Sequence, residues 1–488
     1  MLRTRKIRFI EPRGRQGRPF NAWISHWPLL GPITLATILH NRGFDVQVYN
    51  ENISGSLDEN PRAFEEVCSA DVVGISIMTP TASRGYALAK AIRGAAPAVT
   101  IVFGGVHASF LPQEAIQHGD IVVCGEGESV IEAIARGDVT QGIVRAQPLG
   151  DLDAIPTLNH ALMRDFDKLL IGSRRAELYE LPIMTSRGCP YGCTYCSVTS
   201  MFGRKVRRQS VQKVHSDLCR YMDLGYQRFF FYDDNFTADG EWSKQLLGRA
   251  APLKIKFNAQ TRVDFHWRDG QRTKIDRDLL AAMRRAGADV LYVGYETIDD
   301  ATARQWHKGY SGQRQLRVRL MEDTRILHDN GFWIHAMFVL GPQHTRSTAK
   351  QIVDFSLQGK LETMQISILT PFPGTALFEQ MRPQLAFTEF PSDWDFYDGT
   401  HCVYNKSRLS VEEFQKTILQ AHRRFYRWGV VNFRRLRAVL QAQMPLRDKL
   451  AKALRHAQIA RTTLRQWRQE TAAFLELAKA RRIELLGT

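Results

Sequence analysis

The chain is poor in cysteine and has no long hydrophobic run, and each shortage excludes a class of protein. Seven cysteines in 488 residues are too few for a secreted fold held together by disulfides. The longest apolar stretch, residues 23–39, is broken by His26, Pro28, Gly31 and Pro32, so we expect no transmembrane helix. The basic N-terminus leads straight into a strand-like segment, which predicts no signal peptide. The reduced cysteines point to the cytoplasm.

Low-complexity segments and repeats at solenoid periods are also missing, which leaves an ordinary globular protein as the expectation. A length of 488 residues predicts two to three domains, and 44% apolar residues are enough to build their cores.

Three of the seven cysteines are clustered. Cys189, Cys193 and Cys196 have C-x3-C-x2-C spacing, and the other four are scattered singly. Three thiolates on one loop can bind three irons of a cubane cluster and leave the fourth iron open. A zinc site is the alternative, but zinc normally takes four protein ligands, often as paired C-x2-C motifs, and no second pair follows nearby.

The cysteine loop resembles the signature of the radical S-adenosylmethionine (SAM) superfamily. Residues 181–185 read as a short buried strand that leads into the loop, and Tyr195 is the aromatic residue directly before the third cysteine. The resemblance implies a 4Fe-4S cluster that binds and reductively cleaves SAM. The 5′-deoxyadenosyl radical formed in this way would abstract hydrogen from an unactivated carbon.

Residues 1–150 alternate strand and helix, which predicts an N-terminal Rossmann-like, doubly wound parallel sheet. Strands are expected at 6–10, 44–49, 72–78, 100–103 and 121–123. Ligands of such sheets bind at the carboxyl ends of the strands. The unusual loops stand there, after the third, fourth and fifth strands, at residues 76–79, 104–107 and 125–128.

These loops resemble the cobalamin-binding domain that precedes the barrel in one large radical SAM subfamily. The resemblance implies a groove for cobalamin formed by Ser76, Thr79, Gly104, Gly105, His107, Gly125 and Glu126. The D-x-H-x-x-G motif that supplies an axial histidine in some cobalamin proteins is absent from the sequence. Many members of the subfamily lack it too. A domain that has lost its cofactor, with His107 only packing in its loop, is the alternative.

Residues 181–370 form a second strand–helix repeat, after a linker at 151–180. Six strands are expected, and they match the partial (β/α)6 barrel of the superfamily. Barrel active sites collect polar residues at the carboxyl ends of strands. Here these positions hold Asp233, Asp234, Asn235, Gln260, Arg262 and Glu296.

Chemistry suggests roles for these residues toward SAM. Asp233 or Glu296 suits the ammonium group or the ribose hydroxyls, and Arg262 suits the carboxylate through paired hydrogen bonds. Gly294 would let the backbone approach the nucleoside, and by resemblance Gly294 to Glu296 matches a SAM-binding segment. Each acidic residue could instead cap a helix, as we expect of Asp299.

Basic residues concentrate in two places. Residues 202–208 follow the cysteine loop and could hold a reductase, an acidic substrate group or the cluster edge, or could be a solvated loop. From residue 403 to 488 there are 19 lysines and arginines against 6 acidic residues, within a C-terminal extension (371–488) expected to be mostly helical. Helices are predicted at 411–427, 431–443 and 446–482. A helical hairpin packed on the barrel, a peripheral membrane surface and a nucleic-acid surface are the alternatives, and the last is ranked lowest.

The hypothesis is a cobalamin-dependent radical SAM enzyme that methylates an unactivated carbon. A radical oxidoreductase or cyclase without methyl transfer is the runner-up, and a non-enzymatic iron–sulfur module is the alternative of a different class. The resemblance implies a flavodoxin or ferredoxin as electron donor. The substrate is expected to be a small molecule. Aromatic residues could line a pocket for an apolar one or could instead pack in the core, namely Trp23, Trp27, Phe257, Phe265 and Trp267. No catalytic acid or base is assigned.

Overall fold

The structure is a computed structural model, and it describes residues 5–15, 27–170, 179–269, 271–310, 314–405, 407–427, 464–465 and 467–481. Within these residues no helix is both long enough and apolar enough to cross a membrane.

The N-terminal part is a six-stranded, fully parallel sheet with strand order β2-β1-β3-β4-β5-β6. Its strands are β1 Lys6–Glu11, β2 Asp45–Asn50, β3 Val72–Ser76, β4 Thr100–Gly104, β5 Ile121–Cys124 and β6 Gly142–Arg145. Its helices are α1 Leu30–Asn41, α2 Glu51–Ser54, α3 Pro61–Cys68, α4 Ala82–Ala95, α5 Val106–Phe110, α6 Pro112–Ala115 and α7 Ile131–Arg136. The apolar run of β3 is buried because helices cover both faces of a parallel sheet.

The prediction of a doubly wound parallel sheet is therefore confirmed. It missed β6, because residues 142–145 are short and only partly buried and so leave no apolar run in the sequence. The strand order reverses between β1 and β3, which places the carboxyl ends of these two strands at the position where such sheets bind ligands.

The second sheet is also parallel, with strand order β14-β13-β12-β11-β10-β7. Its strands are β7 Glu180–Ile183, β10 Arg228–Phe231, β11 Lys256–Arg262, β12 Ala288–Glu296, β13 Trp333–Leu340 and β14 Thr363–Ile368. The strands pair in chain order and each is followed by helix, as in a partial barrel. The accompanying helices are α8 Val198–Phe202, α9 Val211–Asp223, α10 Gly240–Ala250, α11 Arg277–Ala286, α12 Asp300–Gln305, α13 Leu316–Asp329 and α14 Arg346–Gln358.

A two-stranded antiparallel ribbon stands at the carboxyl end of β7. It consists of β8 Ser186–Arg187 and β9 Arg207–Arg208, with Ser186 opposite Arg208 and Arg187 opposite Arg207. The segment between the two strands, residues 188–206, contains all three clustered cysteines. The ribbon therefore closes the base of the cysteine loop.

The C-terminal extension is less helical at its start than the sequence predicts. Residues 371–410 hold one short helix, α15 Ala376–Met381, and the second, α16 Val411–Phe425, agrees with the predicted helix at 411–427. The described residues 464–465 and 467–480 are helical, and Phe474 packs on Phe387 and His401. The helix predicted at 431–443 and most of the one predicted at 446–482 lie outside the described residues.

Candidate functional site

The cysteine loop lies at the mouth of the second sheet and is half-buried. Cys189 N–H donates to the Gly203 carbonyl at 3.3 Å, and Cys196 N–H donates to the Cys193 carbonyl at 3.2 Å. Gly188 has a φ of 95°, and a Cβ there would stand 2.7 Å from the Lys205 carbonyl oxygen. The base of the loop is thus a tight crossing of two backbones, which only glycine permits.

The thiols of this loop need a positive partner to ionise. Burial raises the pKa of Cys189, and burial raises the pKa of Cys196 to about 12; Asp234 and the neighbouring cysteines act in the same direction. Iron would reverse this trend, because a bound cation stabilises thiolate. Among the described residues no group of three His, Cys, Asp or Glu side chains is arranged around one metal ion. A cubane cluster does not need three side chains around one ion, because each cysteine binds a different iron. The three cysteines of the loop therefore fit such a cluster.

Asp233 and Asp234 stand one residue beyond the end of β10 but have different surroundings. Asp233 is fully buried, and its carboxylate accepts hydrogen bonds from the backbone N–H and the hydroxyl of both Thr185 and Ser186. These residues connect β7 to the ribbon. Asp233 therefore anchors the strand that carries the cysteine loop, whereas its sequence-based role toward SAM stays a prediction.

Asp234 points the other way. Its side chain keeps a solvent-exposed surface but stands in a crowded crevice, where burial raises its pKa to about 7 and Asp233 adds to the effect. Within the described part of the chain it has no hydrogen-bond or ion-pair partner. It is close enough to Cys189 and Cys196 to raise the pKa of both thiols. A carboxylate in this position, beside the cysteines, can accept hydrogen bonds from a ligand.

Arg262 holds the cysteine loop from the end of β11. Its guanidinium binds both oxygens of Asp264 at 2.9 Å and donates to the Lys308 carbonyl at 2.8 Å. It also stacks on the ring of Tyr191, in the loop, at 3.9 Å. The bidentate acceptor of Arg262 is thus Asp264 in this structure, and the expected pairing with a SAM carboxylate stays a prediction.

Glu296 ends β12 in a strained conformation. Its φ is 59°, and a register shift separates it from Gly294. Its carboxylate accepts a hydrogen bond from Lys308 Nζ at 2.9 Å. The same carboxylate fills the space beside Gly294, because a Cβ on Gly294 would stand 2.6 Å from Glu296 Oε1. The glycine therefore makes room for the Glu296 side chain. Backbone strain of this kind costs energy and is concentrated at functional sites.

The remaining predicted barrel residues surround the same mouth. Tyr195 packs edge-on against Trp306, with ring centroids 5.7 Å apart. Asn235 is buried and accepts from the Thr237 hydroxyl, and the Gln260 carbonyl accepts from Phe236 N–H. The structure thus brings the residues predicted to contact SAM to one end of the sheet, namely Tyr195, Asp233, Asn235, Gln260, Arg262, Gly294 and Glu296.

The first sheet presents only part of the predicted cobalamin groove as open surface. A Cβ on Gly104 would meet nothing within 4 Å, and Ser76 beside it is half-exposed. Gly105 instead packs on β3, since a Cβ there would stand 2.6 Å from the Ile77 carbonyl oxygen. Gly125 N–H donates to Ser109 Oγ at 3.0 Å. Ser76 and Gly104 fit a bound ligand, whereas Gly105 and Gly125 shape the loops behind them.

His107 and Thr79 are not at the open surface. His107 is fully buried, with Nδ1 3.3 Å from the Thr79 hydroxyl and Nε2 3.2 Å from a Glu114 oxygen. Glu114 also accepts from Trp394 Nε1 at 3.0 Å, so this chain of contacts reaches the segment after the barrel. Burial raises the pKa of Glu114, but the hydrogen bonds from His107 and Trp394 outweigh it and the pKa is lowered. His107 thus packs in its loop, and its contact with cobalamin stays a prediction.

Glu126 is buried as well, and its partners are arginines. Its carboxylate binds the guanidinium group of Arg187 at 2.6 Å and that of Arg207 at 2.9 Å. A second ion pair also joins its other oxygen to Arg207. Arg187 also binds Glu128 at 2.6 Å. Glu126 is predicted from the sequence as a cobalamin contact, and that role stays a prediction, whereas the sequence predicts no role for Arg187. Sequence signals for this network existed, because two acids follow β5 and two arginines flank the cysteine loop, but nothing in the sequence paired them.

The concave face of the second sheet is aromatic. Strand alternation places Phe230, Tyr292 and His335 on it, with Tyr292 5.4 Å from Phe230 and 5.0 Å from His335 between ring centroids. Trp27 of the N-terminal part packs against Phe230 with the two rings tilted and their centroids 4.6 Å apart. Of the aromatic residues predicted to line a pocket, Trp27 reaches this face, whereas Phe257 packs in the core with Phe231.

A separate cavity of about 690 Å³ opens beside Thr194 of the cysteine loop and Trp306. Its walls are rich in amide side chains, namely Gln305, Gln343, Gln380, Gln384 and Asn405. None of the residues predicted to contact SAM lines it.

Two family models match the chain. One, described as the B12 binding domain, covers residues 25–135, and the other, the radical SAM superfamily, covers residues 183–356. Both families agree with the two sheets and with the cysteine loop described above. They imply a 4Fe-4S cluster, SAM and cobalamin.

The chain is similar to bacteriochlorophyllide d C-12(1)-methyltransferase from Chlorobaculum tepidum, with 25% identity over 88% of each protein. It is also similar to the anaerobic magnesium-protoporphyrin IX monomethyl ester cyclase from Rubrivivax gelatinosus, with 24% identity over 86% of this chain and 77% of that protein. Among solved structures, the cobalamin-dependent SAM radical enzyme OxsB aligns with a TM-score of 0.65 and 13% identity, over 100% of this chain and 77% of that one. This likeness shows the fold.

Proposed function

Because the chain belongs to the radical SAM superfamily and has a B12-binding domain in front of its barrel, we propose that it methylates an unactivated carbon of a small molecule. The observation that carries the proposal is the contact between the two parts. The loop after β5 of the B12-binding domain binds the base of the cysteine loop directly, through Glu126, Glu128 and Arg187. A methyl donor and a radical source must act on one substrate, and this contact keeps their sites together.

The cluster with SAM would supply a carbon-centred radical, and cobalamin would supply the methyl group. Cys189, Cys193 and Cys196 would hold the cluster. Asp234 is the free carboxylate beside the cysteines and suits the SAM ammonium group better than Asp233, whose oxygens are already bonded. Ser76 and Gly104, at the carboxyl ends of β3 and β4, would accommodate cobalamin.

The substrate class follows from the aromatic concave face. Flat apolar rings such as Phe230, Tyr292 and Trp27 favour a flat or largely apolar molecule. A similar protein is named as a methyltransferase of bacteriochlorophyllide, so a chlorin macrocycle is the first substrate to test. A flavodoxin or ferredoxin in a reducing cytoplasm would deliver the electron.

A radical cyclase without methyl transfer is the second candidate, because a relative of similar identity and coverage is named as a magnesium-protoporphyrin monomethyl ester cyclase. The motifs of the sequence fit both reactions.

The test is anaerobic purification with iron and sulfide reconstitution and added hydroxocobalamin, followed by iron and cobalt quantification. The protein is then reduced with dithionite and assayed for 5′-deoxyadenosine and S-adenosylhomocysteine with chlorin substrates. We expect bound cobalt and both products, and the Cys193→Ala variant should yield neither product. Bound iron and 5′-deoxyadenosine without cobalt or S-adenosylhomocysteine would refute methyl transfer and favour the cyclase.

A further inference from the structure

The base of the cysteine loop holds two arginines that would repel one another. Arg187 and Arg207 stand directly opposite in the antiparallel ribbon, and their side chains are only 5% and 12% exposed. Like charges opposite one another in a strand pair are destabilising, and burial increases the cost. The ribbon therefore cannot close stably on its own residues.

The missing negative charge comes from the B12-binding domain. Glu126 forms ion pairs with both guanidinium groups, and Glu128 forms an ion pair with the second terminal nitrogen of Arg187 at 2.6 Å. Both carboxylates are at least 93% buried, with side chains 2% and 7% exposed. The negative charges of two carboxylates thus balance the positive charges of two guanidinium groups, and all four groups are largely buried. Burial opposes the ionised Glu126, but the two arginines outweigh it and lower its pKa.

The same network also holds Leu149, at the end of the first domain, against the ribbon. Arg207 donates to the Leu149 carbonyl at 2.7 Å, and Leu149 N–H donates to Glu126 at 3.2 Å. Gly188 follows Arg187 and crosses Lys205 closely, and Cys189 is the next residue. A shift of the Arg187 backbone would therefore pass to the first cysteine through one residue.

We infer that Glu126, with Glu128, is a positioning residue for the cluster rather than a cobalamin contact: it clamps the two strands that bound the cysteine loop. The B12-binding domain then has a second task, which is to preorganise the cluster site of the neighbouring barrel. This inference rests on the cluster assignment in the proposed function and is independent of methyl transfer.

The decisive experiment compares iron uptake and cobalamin uptake in the same full-length variant. Glu126→Gln removes the charge and keeps the shape. Under limiting iron and sulfide we expect its cluster affinity to fall about tenfold, as for other residues that orient metal ligands. We also expect a broadened electron paramagnetic resonance signal of the reduced cluster. Binding of hydroxocobalamin, measured by its absorbance after desalting, should be unchanged.

The matched control is Glu51→Gln. Glu51 is a fully buried partner of Arg84 at 2.6 Å within the same domain, away from the cysteine loop. This variant should lose comparable thermal stability and keep full iron uptake. A double variant, Glu126→Gln with Arg207→Gln, removes one charge of each sign and should regain part of the iron uptake lost in Glu126→Gln.

Each other outcome contradicts the inference. Loss of cobalamin binding with full iron uptake would make Glu126 a cobalamin contact. Equal iron loss in Glu51→Gln would reduce the effect to general destabilisation. If Glu126→Gln does not fold, Arg187→Lys and Arg207→Lys keep the charges and shorten the reach, and unchanged cluster spectra in both would refute the clamp. Absence of iron in the unmodified protein would instead refute the cluster assignment itself.

Discussion

At the scale of single residues, two adjacent acids show how the fold divides one sequence motif into two tasks. Asp233 faces inward and its oxygens accept hydrogen bonds from Thr185 and Ser186, whereas Asp234 faces the cysteines and has no partner among the described residues. The physical reason is the turn that follows β10, because Asp234 lies in this turn and Asp233 stands just before it. The sequence placed both acids at a strand end but could not tell which of them faces the site.

We predict different consequences for the two amide variants. Asp234→Asn should leave iron uptake and thermal stability within experimental error but weaken SAM binding about tenfold or more, because one charge-assisted hydrogen bond to the ammonium group is lost. Asp233→Asn should lower thermal stability, because an amide cannot accept four hydrogen bonds from N–H and hydroxyl donors.

Isothermal titration with SAM on the reconstituted protein, together with thermal denaturation, separates the two. Normal SAM affinity in Asp234→Asn would show that the carboxylate does not contact SAM. Unchanged stability in Asp233→Asn would show that its four hydrogen bonds are not important in solution.

At the scale of elements, the end of β1 carries a buried acid that is out of place in an apolar core. Glu11 is 1% exposed, it accepts from Leu29 N–H at 3.2 Å, and its Oε1 has no partner among the described residues. Burial raises its pKa to about 8, with the Leu29 hydrogen bond opposing the shift. At neutral pH this carboxyl group is therefore largely protonated in the folded protein.

This shift makes stability depend on pH in a known direction. The folded-state pKa is higher than the unfolded value near 4.5, so the folded protein binds the proton more tightly. The contribution of Glu11 to the free energy of unfolding is therefore complete below pH 4.5 and is lost as the pH rises through 8. The loss is at most about 5 kcal/mol. Glu11→Gln keeps the acceptor for Leu29 and should be more stable than the unmodified protein at pH 8.

Urea unfolding at pH 6 and pH 8.5 tests this prediction. The difference in midpoint between the two pH values should shrink in Glu11→Gln. An equal difference in both proteins would mean that Glu11 is ionised when folded and has found a cation.

Elements also show where sequence patterns work. Apart from β6, the strands of both sheets agree with the predicted segments to within a few residues, because buried parallel strands are near-continuous apolar runs. Asp299 caps α12 by accepting from Thr302 N–H at 2.7 Å, as expected. The ribbon β8–β9 was not predicted, since two-residue strands leave no periodicity and are held by charges from another domain.

At the scale of the whole molecule, buried histidines accept backbone hydrogen bonds both within the barrel, at His344, and between the barrel and its extension, at His422. His344 Nδ1 accepts from Gly341 N–H at 2.8 Å, and His422 Nε2 accepts from Ile366 N–H at 3.2 Å. A proton on either nitrogen would meet an N–H donor. Burial lowers the pKa of each histidine to about 4.

We therefore predict a loss of stability on mild acidification. The folded-state pKa values are below the unfolded value of 6.5, so this contribution is complete above pH 6.5 and is lost as pH falls toward 4. Each histidine accounts for at most about 3 kcal/mol.

Thermal denaturation at pH 7.5 and pH 5.5 measures the loss, and His422→Gln should reduce it. His40→Gln is the matched control, because His40 is exposed and should leave the pH dependence unchanged. An identical pH dependence in His422→Gln and the unmodified protein would contradict the prediction.

The sequence by itself determined the chemistry that is local in the chain. Cysteine spacing, apolar strands and polar strand ends lie within a few residues of one another, so they predicted the cluster loop, two parallel sheets and the mouth of the barrel. Tertiary structure alone decided which of these groups face the site. Glu126 and Arg187 are 61 residues apart in the chain, and their salt bridge forms only when the two domains pack. Such pairing depends on distance in space, which residue order does not encode directly.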